Sequence, residues 1–482
     1  MEASTLPWIM FVAYIAAITG LALWNRRAST SMAGFAVGSR SIPPVFVGLS
    51  LAANMTSVAT FVINPGLVYA YGWSGIVAYA LAAPLGIFIG LVFFSRRFRQ
   101  VGDKVTALTL PQWIGERYGD PRLTVLFGGA TLLQITFLVL IVTALAHILM
   151  GVLGIGVWVA LILIVGFTFT TILMGGASLH VWSNSIQALI MVVVTVILLF
   201  SAIPVLTDGP LFERLATVAP HFASATNPDS ILFRDYFEVV IANFFIGLAI
   251  IMQPHIMSKA LYLRTERDVN VYLITAVVVG TLFTAVMLVG LVARLELGGG
   301  LAPDTVMASY ITTSFGPAMT SVIMLGLLAA GFSTLEGVAL ALSTILANDL
   351  WGRIALLRGA DPDQVAGRLV KVSRVILVLL APVVLLLSWR QVVAPDLSVA
   401  IFGQNGVYGL FAASFAPVLF GIFNRRVSAA VVGSAAVTAL VIHFGIFYSK
   451  VIHYATNPAV PAVCALAVST LILGLGSRKA EE

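Results

Sequence analysis

The sequence predicts an all-α polytopic membrane protein with 13 transmembrane helices, and three observations carry that prediction. Of 482 residues, 60% are hydrophobic and only 10% are charged, against about 25% charged in soluble domains. Thirteen stretches stay apolar over the roughly 20 residues that a helix needs to cross a bilayer. When the chain is threaded through a membrane by those stretches, its 26 basic residues collect on one side. Mean hydropathy is +1.04. The single cysteine, Cys464, excludes an intrachain disulfide framework or a CxxC site. Basic residues scattered between apolar blocks speak against nucleic acid as a partner.

In chain order the stretches are about 7–24, 44–71, 75–95, 123–151, 155–175, 185–205, 237–257, 271–293, 318–347, 370–389, 397–423, 428–447 and 459–476. The first lacks a basic n-region before it and reads as an anchor helix rather than a cleaved leader. An odd number of spans puts the termini on opposite sides. With the N-terminus outside, the inner loops hold 21 basic residues, including Arg26, Arg27, Arg40, Arg96, Arg97, Lys259, Arg353, Arg425, Arg426, Arg478 and Lys479. The outer side then holds five: Arg214, Arg234, Arg294, Arg390 and Lys450. The positive-inside rule therefore selects an outside N-terminus and a cytoplasmic C-terminus. No soluble domain is expected. The longest polar segments, about 96–121, 206–235 and 348–369, each have room for a short amphipathic helix.

Polar groups inside spans are costly and usually face a cavity or a partner. Span 2 carries Ser50, Asn54, Thr56, Ser57, Thr60 and Asn64, followed by Pro65 and Gly66. Such a helix suits a local break whose freed carbonyls bind a cation. The other reading is a tightly packed helix with back-bonded hydroxyls. Span 9 carries Ser333, Thr334 and Glu336. Glu336 is the one carboxylate that falls far from any expected span end, and ionised and alone there it costs about 2.5–3.5 kcal/mol. It is protonated, paired with a cation, or wetted by a cavity. The sequence places no Lys or Arg deep in a span to pair with it, which makes a bound cation the leading candidate. At 1.5 Å rise per residue, 52–55 and 333–336 lie at compatible depths in the inner half.

Gln253-Pro254-His255 closes span 7 with a helix-breaking proline, and Gln404-Asn405-Gly406 interrupts span 11. The histidines show no metal-ligand spacing, and HExxH, GxSxG, Walker A and GxGxxG motifs are all missing. No enzymatic constellation is visible. A GxxxG pair at Gly86 and Gly90 speaks only of close helix packing.

Four segments together resemble the sodium:solute symporter family over about 35–440. They are Ser50-Leu-Ala-Ala-Asn54-Met-Thr56, the glycine-rich run from Gly175 through Trp182-Ser-Asn184 to Gln187, Gln253-Pro-His255-Ile, and Ala329-Ala-Gly-Phe-Ser-Thr334 followed by Asn348-Asp-Leu-Trp351. The resemblance implies a LeuT-like core of two inverted five-helix repeats, spans 2–6 and 7–11. The expected organisation is 1–36 as an N-terminal peripheral helix with its loop, 37–424 as the symporter core, and 425–482 as two peripheral helices and a tail. The family's principal sodium site, carried over by motif, falls on Ala52, Met55, Ala330, Ser333 and Thr334. Family members often have Asp where this chain has Asn184, and Ser where it has Glu336, so the resemblance implies a second cation or proton site at Glu336 and Asn184, with the carboxylate moved from span 6 to span 9.

The implied activity is uptake of a small polar solute of the sugar, amino acid or monocarboxylate class, driven by inward sodium flux through alternating access. The solute cavity is expected between spans 2, 3, 7 and 11, with Asn54, Thr60, His255, Gln404 and Asn405 as candidate contacts. The implied setting is the plasma (inner) membrane, in lipid bilayer, as a functional monomer. Proton coupling through Glu336 and a non-transporting sensor of the same fold are the alternatives.

Overall fold

A computed structural model describes residues 5–25, 42–105, 107–423 and 427–477. Of the basic residues named above, Arg26, Arg27, Arg40, Arg425, Arg426, Arg478 and Lys479 lie outside the described residues. Among the described residues, eleven helices are long and apolar enough to cross a membrane, and two bent helix pairs bring the number of spans to 13. The bent pairs are span 2, Pro44–Met55 with Ala59–Tyr71, and span 7, Phe237–Ile250 with Pro254–Tyr262, bent by 50° and 58°. Spans 3 and 4 are Trp73–Gly102 and Pro121–Leu153, and spans 5 and 6 are Val157–Gly175 and Leu179–Thr207. Spans 8 to 10 are Glu266–Leu297, Pro317–Leu357 and Pro362–Val393. Spans 11 to 13 are Val399–Ile422, Ala429–Ser449 and Ala459–Gly476.

Several helices outrun the apolar stretches that announced them. Span 10 begins eight residues earlier, at Pro362, because Asp361 caps it by accepting from the Asp363 N–H (3.0 Å). Apolarity stops at the first charge, whereas helical hydrogen bonding continues into the interface. The segment between spans 5 and 6 is a sharper departure. The chain stays helical from Val157 to Thr207, 51 residues. The segment cannot run straight, because Phe167 and Gln187, about 30 Å apart along a straight helix, both meet Tyr14. Its two halves, Val157–Gly175 and Leu179–Thr207, therefore lie side by side as two spans, and the polar run before Gln187 is helical. Two of the long polar segments hold separate short helices, Leu110–Tyr118 and Leu211–Val218.

Contacts between the loops sort them onto two faces, in the alternation that 13 spans require. On one face Arg99 donates to the Arg264 carbonyl, Arg353 pairs with Glu116 (2.6 Å) and Arg117 donates to the Gly421 carbonyl (2.7 Å). We call this the basic face. On the other, Trp73 N–H donates to Phe222 O, Tyr454 to Asp235 (2.6 Å), and Arg234 to the His453 carbonyl. Arg234 also grips the fully buried Glu238 through Nε (2.9 Å) and a terminal nitrogen (2.5 Å). Removing one partner of such a pair leaves a buried charge uncompensated. Arg234→Gln is expected to lower stability by about 3 kcal/mol, read as a lower thermal midpoint, whereas Arg390→Gln, whose pair with Asp396 is exposed, should leave it unchanged.

Two features lock the frame around the middle of the protein. Spans 3 and 7 touch backbone to backbone: a Cβ on Gly86 would lie 2.1 Å from the Phe244 carbonyl oxygen, and one on Gly247 2.1 Å from that of Ala83. At the basic end of span 9, the buried Asp349 accepts from Thr109 Oγ1 (2.5 Å) and Asn348 Nδ2 (2.6 Å). Thr109 is also the N-cap of the Leu110–Tyr118 helix. The Asn348-Asp349 pair thus fastens that helix to span 9. Span 1 is not isolated from the core, since Tyr14 accepts from Gln187 Nε2 (2.8 Å) and stacks on Phe332 of span 9.

Candidate functional site

The two breaks create the site. Span 2 stops being α-helical after Met55, at Thr56 (φ −100°, ψ 65°). The last carbonyls of a helix have no intrahelical partner. That of Ala52 is taken up by the Thr56 N–H (3.0 Å) and by the Thr56 hydroxyl. The next two, of Ala53 and Asn54, face span 9. There Ser333 Oγ lies 3.3 Å from Ala53 O, and Thr334 Oγ1 lies 3.4 Å from both Ala53 O and Asn54 O. Both hydroxyls also reach the Ala330 carbonyl, at 3.0 and 3.3 Å.

Most of these separations are long for hydroxyl hydrogen bonds, which run about 2.5–3.0 Å. They suit oxygens that share a cation. Two ligands at right angles, each about 2.4 Å from a hard cation, lie about 3.4 Å apart. The span 2 segment and the Ala330–Thr334 segment are therefore brought together. The span 2 carbonyls that face the two hydroxyls are those of Ala53 and Asn54, which lie between Ala52 and Met55.

Glu336 is buried one turn further on. Its Oε2 accepts from Ser183 Oγ (2.9 Å) and lies 3.7 Å from His180 Nδ1. Its Oε1 has no partner among the described residues. The Asn184 amide reaches the Ser333 carbonyl (3.2 Å) and meets the Asn54 amide at 2.6 Å. Asn184 and Glu336 thus join one buried cluster, and Asn184 Oδ1 is also unpartnered there.

One element of that cluster overturns a sequence expectation. A basic residue does lie deep in a span. Lys259, counted above with the inner loops, sits in the second half of broken span 7 and is 1% exposed. Its Nζ donates to Ser50 Oγ (2.7 Å). With the Asn54 amide oriented to satisfy both of its ends, Asn54 Oδ1 accepts from Lys259 (3.2 Å) and Nδ2 donates to the Ser333 carbonyl (2.7 Å). The bend after Ile250 folds a segment that reads as loop back into the protein.

Two cavities flank this layer. The central one, about 120 Å³, is lined by Asn54, Met55, Thr60, Tyr79, Gln253 and Gln404 among others, and by no charged residue. Gln404 Nε2 lies 3.4 Å from Tyr79 Oη across it. A smaller one, about 20 Å³, opens toward the basic side past His180, His255, Thr344 and Thr109. It has room for a water. Gly337 lines the smaller cavity, and a Cβ there would meet the Asn54 amide at 2.7 Å and the His180 ring at 3.1 Å.

Of the five candidate solute contacts, Asn54, Thr60 and Gln404 line the central cavity. His255 lines the smaller one, with both ring nitrogens unpartnered. Asn405 faces span 12, where its amide approaches Tyr448 Oη (3.3 Å) and its carbonyl accepts from His443 Nε2 (2.8 Å). Sequence reasoning missed Tyr79, Phe137, Gln253 and Tyr408 in the wall. Of these only Gln253, next to the proline of a noted motif, carried a signal.

Comparison with known proteins extends over nearly the whole chain. Residues 35–436 match the family described as the sodium:solute symporter family. The sodium/pantothenate symporter of Escherichia coli (strain K12) is 24% identical over 500 residues, covering 98% of this chain and 96% of its own. The high-affinity proline transporter PutP of Bacillus subtilis (strain 168) is 24% identical over 435 residues, covering 83% and 84%. Among solved structures, a substrate-bound, outward-open Na+-coupled sialic acid symporter superposes with a TM-score of 0.81 at 16% identity, covering 99% of both chains. Mhp1, a nucleobase-cation-symport-1 family transporter, does so at 0.51 and 14%, covering 93% and 94%. These likenesses establish the fold.

Proposed function

The chain belongs to the sodium:solute symporter family, and from that premise we propose that it is a secondary active transporter in which inward sodium flux drives uptake of a small polar organic solute by alternating access. The observation that carries this reading is the set of oxygens from Ala53, Asn54, Ala330, Ser333 and Thr334 that converge where span 2 breaks, with spacings of 3.0–3.4 Å. Sodium, the coupling ion, ties broken span 2 to span 9, with Ala52 and Met55 at the two ends of the carbonyl run. A functional monomer is part of the same reading. No reaction chemistry is assigned to it.

The solute sits in the central cavity against Asn54, Thr60, Gln253 and Gln404. A cavity of about 120 Å³ is small beside ligand pockets of about 300–1,000 Å³. It favours a solute the size of an amino acid or monocarboxylate over a larger sugar. Pantothenate, proline and sialic acid, carried by the relatives and the structural neighbour, all bear a carboxylate, and the solute here is placed in that class. The basic face is the cytoplasmic one in the inner (plasma) membrane, with the N-terminus outside. Sodium entering through that orientation gains about 2.3 kcal/mol per 100 mV of membrane potential.

Glu336 and Asn184 form a second cation site beside the first, with Glu336 Oε1 and Asn184 Oδ1 as open ligands. The test is uptake into proteoliposomes of a panel of labelled amino acids and monocarboxylates, each with an inward sodium gradient and with potassium in its place. A solute accumulated only with sodium supports the reading, and a panel that never distinguishes sodium from potassium ends it. With that solute in hand, Glu336→Gln should raise the half-saturating sodium concentration several-fold or lower the number of ions per cycle. An unchanged sodium dependence removes Glu336 from the cation path.

A further inference from the structure

A groove of about 660 Å³ opens on the lipid-facing surface where spans 3, 7, 11 and 13 meet. Phe93, Phe245, Leu419, Leu466, Ala467 and Leu471 line most of it. Its one polar residue, Thr470, spends its hydroxyl on the Leu466 carbonyl of its own helix (2.7 Å). Nothing in the groove can hold water, which needs polar partners to stay in a cavity. Phe93, Phe245 and Leu471 are each more than 40% exposed. In a bilayer such a space is filled by hydrocarbon.

The rim of the groove is not neutral. Phe93 packs on Phe423 at the end of span 11 (5.5 Å between centroids), and the Arg97 guanidinium lies over the same Phe423 ring at 4.7 Å. Arg97 is exposed, one turn beyond Phe93 on span 3, and has no carboxylate partner among the described residues. The sequence continues past Phe423 into Arg425 and Arg426. An apolar groove that ends under a free guanidinium matches a lipid with a hydrocarbon tail and an anionic head. We propose that this groove is a binding site for an anionic phospholipid, with one acyl chain between spans 3, 7, 11 and 13 and the phosphate on Arg97. Its position toward the basic face agrees with the leaflet that carries anionic lipid and attracts juxtamembrane Arg and Lys. Glycine contacts fix span 7 against span 3 just above, so the bound chain lies along the seam between that pair and spans 11 and 13.

The test uses purified full-length protein, washed in detergent and given dioleoyl phosphatidylglycerol or dioleoyl phosphatidylethanolamine in equal amounts. Retained lipid per chain is counted by native mass spectrometry. The protein is expected to retain phosphatidylglycerol at least several-fold over phosphatidylethanolamine, near one per chain. Arg97→Gln should equalise the two lipids while retention persists. Ala467→Trp, which fills the groove from an exposed position, should remove both. A preference that survives Arg97→Gln overturns the assignment, as does retention that survives Ala467→Trp, or a lipid-free dimer with the groove covered by a second copy. Each readout is binding alone, so the result stands or falls separately from sodium-driven uptake.

Discussion

Replacing Ser333 and Thr334 together by alanine is expected to abolish the sodium dependence of this transporter while leaving it folded. The two hydroxyls are the only side-chain oxygens in the set that faces the break of span 2. A hydrogen-bonding or ligating group that acts on a charge contributes about 1.5–3 kcal/mol. Each loss should therefore raise the half-saturating sodium concentration on the order of 10- to 150-fold, and the double variant should move it beyond reach. Folding should tolerate the change, because both residues are small and their hydroxyls otherwise return to the Ala330 carbonyl of their own helix. Ser343→Ala is the control. It lies further along the same helix, equally buried, with its hydroxyl on the Leu340 carbonyl. Sodium-dependent thermal stabilisation of purified protein gives the readout, since a ligand that binds the native state raises its stability. Equal sodium shifts in the double variant and the control would place the cation elsewhere.

Gly247→Ala is expected to be strongly destabilising for a single added methyl group. The new carbon would lie 2.1 Å from the Ala83 carbonyl oxygen, a backbone atom that cannot rotate away. Overpacking a core commonly costs about 1–3 kcal/mol where side chains can adjust. Here two helices must separate, and the cost should exceed 3 kcal/mol. The expected result is a loss of folded protein on size exclusion and a thermal midpoint many degrees lower. Gly433→Ala, whose added carbon would meet only Leu123 and Leu126 side chains at 3.5 and 3.9 Å, should be neutral. Its failure to differ from Gly247→Ala would show that spans 3 and 7 are not held by this contact.

These two positions also mark what the sequence discloses. The meeting of Ser333 and Thr334 with span 2 was legible because hydroxyls beside an isolated carboxylate stand out in an apolar helix, and because span 2 offered polar residues at the same depth. Gly247 was not legible. Among 42 glycines a close approach is visible only when the facing backbone is known. The spans were countable because each needs about 20 apolar residues, yet the join of spans 5 and 6 was hidden, since hydropathy records where lipid ends and not where a helix ends. Lys259 was misplaced for a related reason. It follows Pro254 and His255 in a polar flank, and only the 58° bend carries it back under Asn54. Asn405 and Gln404 are neighbours in sequence and part company in space, one toward Tyr448 and the other toward Tyr79. Successive residues of a helix point about 100° apart, so a polar dipeptide does not say which of its members faces the cavity. Tyr79, Phe137 and Tyr408 look like ordinary lipid-span residues until the wall they form is seen.

The thin layer of Asn54, Gly337 and His180 between the two cavities has an electrical consequence. Wherever water fills a cavity, the membrane voltage is not dropped there. When the central cavity is open to the far side and the smaller one to the basic side, nearly the whole potential falls across this one layer of side chains instead of about 30 Å of hydrocarbon. An ion at the proposed site, displaced by a few ångströms past Ser333 and Thr334, would then cross most of the field, worth about 2.3 kcal/mol per 100 mV. The missing side chain of Gly337 sets the thickness of that insulator.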